Sequence, residues 1–105
     1  MNKLTYEQLG NIEQRGWIVR EYDDCYELET ASPAGEDLIV TLLKDSDLAQ
    51  QAENNFAYFD EEEHVEMWVS AKRHGVSGIP SIETLVDDAV EIKKLYGALA
   101  DVFVE

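Results

Sequence analysis

Glu61 and His64 are the two residues whose types and spacing best suit metal chemistry. They lie three positions apart in the run FDEEEHVEMW, so a helix would place both side chains on one face. Di-metal sites in helical bundles need this E-x-x-H motif twice, together with further glutamates, and the chain contains it once. The pattern favours solvated charges in a first helical turn over a specific metal site, and we expect neither a metal nor another cofactor.

Nucleophilic chemistry would need Cys25 or a serine next to His64 or His74. No nucleophile turn or oxyanion loop accompanies these residues, so we expect Cys25 to be a small strand residue and the protein not to be an enzyme. As the single cysteine, Cys25 cannot form an internal disulfide, which is typical of a reducing compartment.

Two further motifs are incomplete. The acidic stretches DDCYE and DSDLAQQAE lack the D-x-[DN]-x-[DN]-G loop of a calcium hand. The G-x-x-G outline at 75–78 has basic flanks only in Lys72 and Arg73, so it predicts a connection between helices, not a clamp on a nucleotide backbone.

Charge is the strongest signal in this chain of 105 residues. It contains 23 Asp and Glu against 8 Lys and Arg, a formal net charge of -15. Self-repulsion on this scale costs stability, and it argues against direct binding to nucleic acid or to an anionic membrane, both of which need a basic surface. We therefore expect a protein partner with a basic surface.

The anions are also unevenly spread. Between Arg20 and Lys72 the only cation is Lys44, and a second acidic set follows at i, i+4, i+5, i+8 on the last predicted helix. The residues that we expect to bind a partner are Glu21, Asp23, Asp24, Glu27, Glu29, Asp60, Glu61, Glu62, Glu63, Glu66, Glu83, Asp87, Asp88 and Glu91. The alternative is a soluble acidic domain whose charge only keeps it dispersed.

The best-marked element runs from residue 60 to residue 75. Asp60 suits the N-cap, and the three glutamates after it suit the positive end of the helix dipole. Gly75 suits the left-handed conformation that ends a helix. Val65, Trp68 and Val69 share one face and should anchor the helix to a core.

The N-terminal half predicts one helix and three strands. Thr5 and Gln8 form a capping-box pattern for a helix that ends at Gly16. Strands follow at 17–22, 25–31 and 37–43, and their short connections predict an antiparallel meander. The third strand is the most apolar, so we expect it to be central or best covered.

The C-terminal half is helical. Ser46 or Asp47 can cap a helix that ends near Phe59, and apolar residues recur at helical spacing from Ile82 to Phe103. Gly97 costs this last helix about 1 kcal/mol against alanine and predicts a break or a close helix contact.

These elements predict a single α+β domain over residues 1–105: an N-terminal helix, a three-stranded antiparallel sheet, and two or three helices packed on one face. The predicted core residues are Trp17, Val19, Leu28, Leu38, Val40, Val65, Trp68, Val69, Leu85, Val86, Ala89 and Leu99. No apolar run approaches the roughly 20 residues of a membrane span, and the N-terminus lacks the apolar core of a signal peptide. We expect a cytoplasmic protein.

The run YFDEEEHVEMWVSAKRHGVSGIPSIETLVDDAVE, residues 58–91, resembles a segment of small acidic proteins of uncharacterised function that mobile elements of gut Firmicutes carry. The likeness is strongest in F-D-x-x-E-H-V-x-M-W and supplies no catalytic residue. In size and acidity the chain also resembles the DNA-mimic inhibitors that mobile elements use against restriction and CRISPR nucleases.

The leading hypothesis is therefore a non-enzymatic acidic protein that mimics DNA and inhibits a nucleic-acid-binding protein such as a restriction or CRISPR nuclease. One alternative is a protein-protein interaction module of a mobile element, bound through apolar surface around Tyr58 and Met67, with no nucleic-acid mimicry. A metal-binding protein is the third.

Overall fold

The computed structural model describes residues 1–72 and 82–104, with the backbone alone at 69–72 and at 82. In chain order the elements are α1 (Tyr6–Gln14), β1 (Ile18–Glu21), β2 (Cys25–Ala31), β3 (Asp37–Leu43), α2 (Leu48–Tyr58), α3 (Glu61–Lys72) and α4 (Ile82–Asp101). The predicted α+β class is confirmed. The predicted helix end at Gly75 and the connection over 75–81 lie outside the described residues.

The helix starts follow from their caps. The Thr5 hydroxyl accepts a hydrogen bond from Gln8 N, and the Gln8 side chain accepts one from Thr5 N, which completes the predicted capping box. At α2 the N-cap is Asp47. At α3 the Asp60 carboxylate accepts from the amides of Glu62 and Glu63, as predicted. Each cap satisfies amides that the helix itself leaves unpaired.

The three strands form an antiparallel meander in the order β1-β2-β3. The expectation that the third strand is central is wrong, because two short turns in succession leave the middle strand, β2, in the middle of the sheet. As an edge strand, β3 alternates strictly: Leu38, Val40 and Leu42 are buried, while Ile39 and Leu43 are exposed. The alternation shows that helices cover only one face of the sheet.

The core lies between the inner face of the sheet and the helices. Of the predicted core residues, those that are buried are Trp17, Leu28, Leu38, Val40, Leu85, Ala89 and Leu99. Val19 packs against the core while only partly buried. The prediction missed Ile12, Tyr26, Leu42 and Ile92, which are fully or almost fully buried.

The predictions for α3 and the start of α4 need correction. Val86 is 46% exposed, and Val65 and Trp68 are only partly buried, because α3 packs on α4 and not on the sheet. The side chain of Val69 lies outside the described residues. The helix that carries the densest acidic run thus packs mainly against another helix.

Lys93 and Gly97 of α4 contact the end of α2. The Lys93 ammonium donates to the carbonyls of Phe56 and Phe59 at the end of α2, and it lies over the Phe56 ring. The helix continues through Gly97, so the predicted alternative of a close contact is the correct one: a Cβ there would lie 3.0 Å from Phe56 Cε1. Within the described residues, no helix is both long and apolar enough to cross a bilayer.

Candidate functional site

A groove between α3 and α4 is lined by three exposed acidic residues of α3. It has a volume of about 430 Å³ and is lined by Glu61, Glu62, Val65, Glu66, Val86 and Ala89. Valine and alanine side chains form its floor, and carboxylates form its rim. We call this the α3–α4 groove.

The two helices that border the α3–α4 groove run antiparallel. The start of α3 lies near Lys93, which bonds to the carbonyl of Phe59, whereas Val65 faces Val86 and Ala89, which come earlier in α4. Glu83 lies one turn before Val86 on the same side of α4, whereas Asp87, directly after Val86, lies on the neighbouring side of the helix. The carboxylates that line the groove come from α3, and the exposed acids of α4 lie beside it.

The carboxylates around this groove are solvated. Asp60, Glu61, Glu62, Glu63, Glu66, Glu83 and Asp87 are all exposed. Among the side chains that the structure describes, none forms an ion pair with them. Among the described side chains, no cation neutralises their charge.

The predicted acidic residues of the hairpin differ from those of α3, because cations neutralise several of them. Arg20 Nη1 lies 2.7 Å from Glu29 Oε2 and 3.3 Å from Glu27 Oε1, and its hydrogen bond to Glu29 raises the pKa of Arg20. Lys44 Nζ lies 2.8 Å from Glu21 Oε2. Asp23 and Asp24 remain exposed at the turn.

On α4, Glu91 is partly buried and forms an ion pair with Lys94 at 3.1 Å. The prediction that Asp88 binds a partner is wrong. This residue is 4% exposed and cannot belong to an anionic surface. Its carboxylate accepts hydrogen bonds from Ser32 Oγ at 3.0 Å and from Ala34 N at 2.9 Å. The acidic spacing placed Asp88 with its neighbours, but the loop between β2 and β3 covers it.

His64 is turned inward as well, away from Glu61, the other residue of the E-x-x-H spacing. Its Nε2 lies 2.9 Å from Glu36 Oε2, and one ligand atom from each of Glu36, His64 and Asp88 lies within 4.8 Å of the others. We call these three residues the inner cluster. Glu61, by contrast, is exposed and lines the α3–α4 groove.

Aromatic rings lie on one side of the inner cluster. The Phe59 ring lies 5.3 Å from the His64 ring and 5.4 Å from the Tyr96 ring, measured between centroids. Burial, with a smaller contribution from the negative charge of Glu36, raises the pKa of the Tyr96 phenol. Sequence reasoning missed Glu36, because only tertiary packing brings that loop to α3.

Cys25 shows no sign of activation. It is partly buried, and burial raises the pKa of its thiol, whereas a nucleophilic cysteine needs a lowered pKa. Comparison of the chain with protein-family models, with curated proteins and with solved structures gave no match.

Proposed function

We propose that this protein is an acidic, non-enzymatic binding protein that presents the carboxylates around the α3–α4 groove to a basic surface of another protein. The observation that carries the proposal is the groove, since three exposed carboxylates line it and four more, without a described ion-pair partner, lie at the start of α3 and on the adjoining turns of α4. The partner surface would be one that otherwise binds nucleic acid, as in a restriction or CRISPR nuclease.

The composition of the groove suits lysine and arginine side chains. Both have long apolar stems that can lie on Val65, Val86 and Ala89, while their charged heads reach carboxylates at the rim. Arginine can bind a carboxylate through two parallel hydrogen bonds, as it binds phosphate. The groove can therefore replace the phosphates that such a side chain would contact on DNA.

The charge density supports mimicry of nucleic acid. The molecule is 45 Å long and carries a net charge of -15, about one net negative charge per 3 Å, compared with about one per 1.7 Å along duplex DNA. From Asp60 to Glu63 four acidic residues follow one another, and at a helical rise of about 1.5 Å per residue this segment equals the density of DNA. The start of α3 is the segment most like a phosphate backbone.

Competition for a nuclease tests the proposal. We expect the protein to displace labelled duplex DNA from a susceptible restriction or CRISPR nuclease, with an affinity that falls at least about tenfold as salt rises across the physiological range. The double reversal Glu62→Lys with Glu63→Lys should weaken binding at least about tenfold, because close charge pairs at interfaces contribute more than 1.4 kcal/mol.

The matched control is Glu13→Lys with Glu53→Lys. Both residues are exposed, one on α1 and one on α2. The two substitutions change the net charge by the same amount as the reversal at Glu62 and Glu63. Equal loss of binding in the two double variants would show that only net charge matters. If the protein bound none of a set of restriction and CRISPR nucleases at low salt, the proposal would be wrong.

A second candidate function rests on exposed apolar residues. Tyr58 is 80% exposed and Met67 is 65% exposed, and such side chains are enriched at protein interfaces. If the protein is an interaction module without mimicry, Tyr58→Ala and Met67→Ala should abolish binding to its partner while the Glu62→Lys, Glu63→Lys variant and added salt leave it unchanged.

A further inference from the structure

We propose that Glu36, His64 and Asp88 form a binding site for a divalent transition-metal ion of the zinc class. This site differs from the E-x-x-H motif, shares no residue with the lining of the α3–α4 groove, and does not depend on the proposed function. Its three residues come from the loop before β3, from α3 and from α4.

The first argument is the geometry of Glu36 and His64. Glu36 Oε2 and His64 Nε2 are 2.9 Å apart, yet both atoms are buried and neither has a hydrogen-bond partner among the described residues. The two atoms are at ion-pair distance without a hydrogen bond between them. Two ligands of one tetrahedral ion, each about 2.1 Å from it, lie about 3.4 Å apart, so Glu36 Oε2 and His64 Nε2 would need to separate only slightly on binding.

The second argument is burial. The side chain of His64 is 12% exposed, that of Glu36 is 28% exposed, and Asp88 is 4% exposed. Buried polar atoms that lack a partner are costly, and buried charges are normally paired or bound to metals. Among the described residues no lysine or arginine forms an ion pair with either carboxylate, so a dication bound by a neutral imidazole and two carboxylates would balance the charge.

The third argument is that the surroundings already orient the ligands. Ser32 Oγ donates to one oxygen of Asp88 and Ala34 N donates to the other, while Glu36 N donates to Ser32 Oγ at 3.1 Å. Metal-binding carboxylates are commonly held by such outer hydrogen bonds. The Phe59 ring, 5.3 Å from the His64 ring, supplies an apolar wall.

The donor set selects the kind of ion. Imidazole favours zinc and its neighbours in the first transition row, whereas magnesium and calcium prefer sites made of oxygen alone. Three protein ligands leave a fourth position for water. Because the ligands come from the β2–β3 loop, α3 and α4, the bound ion would fix α3 to the rest of the fold.

Calorimetric titration of Zn²⁺ into the full chain, freed of metal by a chelator, tests the site. The titration is carried out in excess Mg²⁺ and physiological salt, so that these ions occupy weak sites at surface carboxylates. We expect one Zn²⁺ per chain with a Kd below about 1 μM and a higher Tm on binding, since a ligand of the native state stabilises it. His64→Ala and Glu36→Gln should each weaken binding at least about a hundredfold, more than the loss of an outer partner does.

Two controls separate this site from other acidic or histidine groups. Glu61→Gln tests the E-x-x-H pairing on the same helix, and His74→Ala removes the only other histidine; both should bind Zn²⁺ as the native chain does. Stoichiometric binding that survives His64→Ala, or that is lost in Glu61→Gln, would overturn the proposal, as would no binding tighter than about 10 μM.

Nitrogen-15 NMR of the native protein gives an answer even if a variant fails to fold. One equivalent of Zn²⁺ should move the His64 Nε2 resonance to the position of a metal-bound nitrogen and leave both nitrogens of His74 unchanged. A His64 Nε2 resonance that does not respond would exclude the site.

Discussion

Lys44 Nζ lies 2.8 Å from Glu21 Oε2, and this pair joins the end of β3 to the end of β1 across the sheet. The Lys44 side chain is only 4% exposed, and its ammonium also lies 4.9 Å from the centre of the Tyr26 ring. A lysine so deeply buried needs its counter-ion, because an unpaired charge in this position would lack solvation.

Glu21→Gln should therefore lower the Tm at neutral pH by several degrees. The hydrogen bond from Lys44 lowers the pKa of Glu21 below its ordinary 4.5, so this carboxylate contributes stability that is present above that value and is lost as the pH falls through its folded-state pKa. The Tm difference between native and variant chains should shrink below about pH 4.5. Thermal unfolding followed by circular dichroism across pH measures it.

Glu53→Gln is the matched control, since Glu53 is exposed on α2 and forms no ion pair with a described side chain. Its Tm should stay close to that of the native chain throughout. Parallel pH profiles for the native protein and Glu21→Gln would show that the pair contributes nothing.

Gly97→Ala should destabilise the native chain although alanine is the better helix former. The new Cβ would lie 3.0 Å from Phe56 Cε1 and 3.3 Å from Cδ1, and Lys93 above the ring restricts its movement. In a Phe56→Ala background the clash is gone, so the same change should stabilise by about 1 kcal/mol. Urea unfolding of the four proteins in this double-mutant cycle gives both values. A Gly97→Ala effect of one sign in both backgrounds would show that the contact does not matter.

Asp88→Asn should cost about 1–3 kcal/mol of unfolding free energy, because an amide NH₂ would face one of the two donors that Asp88 now accepts from. The comparison is Asp87→Asn, whose residue is exposed on the same turn and whose change should stay within about 0.5 kcal/mol. Urea unfolding in the presence of a chelator measures both without a contribution from bound metal. Equal effects would mean that the bonds from Ser32 and Ala34 are not formed in solution.

Local features of the sequence predicted the elements well. The caps at Thr5 and Asp60 appear as predicted because each depends on a side chain reaching an amide two or three residues away. The strands Cys25–Ala31 and Asp37–Leu43 agree with the predicted limits, since alternation and turn residues are likewise local. The spacing of acids also correctly indicated that Glu61, Glu62 and Glu66 would be exposed.

Helical spacing could not predict which side of a helix meets which neighbour. Val86 and Asp88 lie two positions apart on α4, and the prediction put Val86 inside and Asp88 outside, whereas the structure reverses them. Asp88 is buried because the β2–β3 loop offers it two donors, and Val86 is exposed because the helix α3 leaves a groove beside it.

What the sequence determined by itself is the set of helices and strands, their caps and the excess of negative charge, all of which depend on contacts within a few residues or on composition. Only the tertiary structure decided that His64 meets Glu36 and Asp88, and that acidic residues of α3 line a groove with Val86 and Ala89 of α4. These relationships join residues that are 20 or more positions apart in the chain, and no local propensity encodes which distant surfaces pack together.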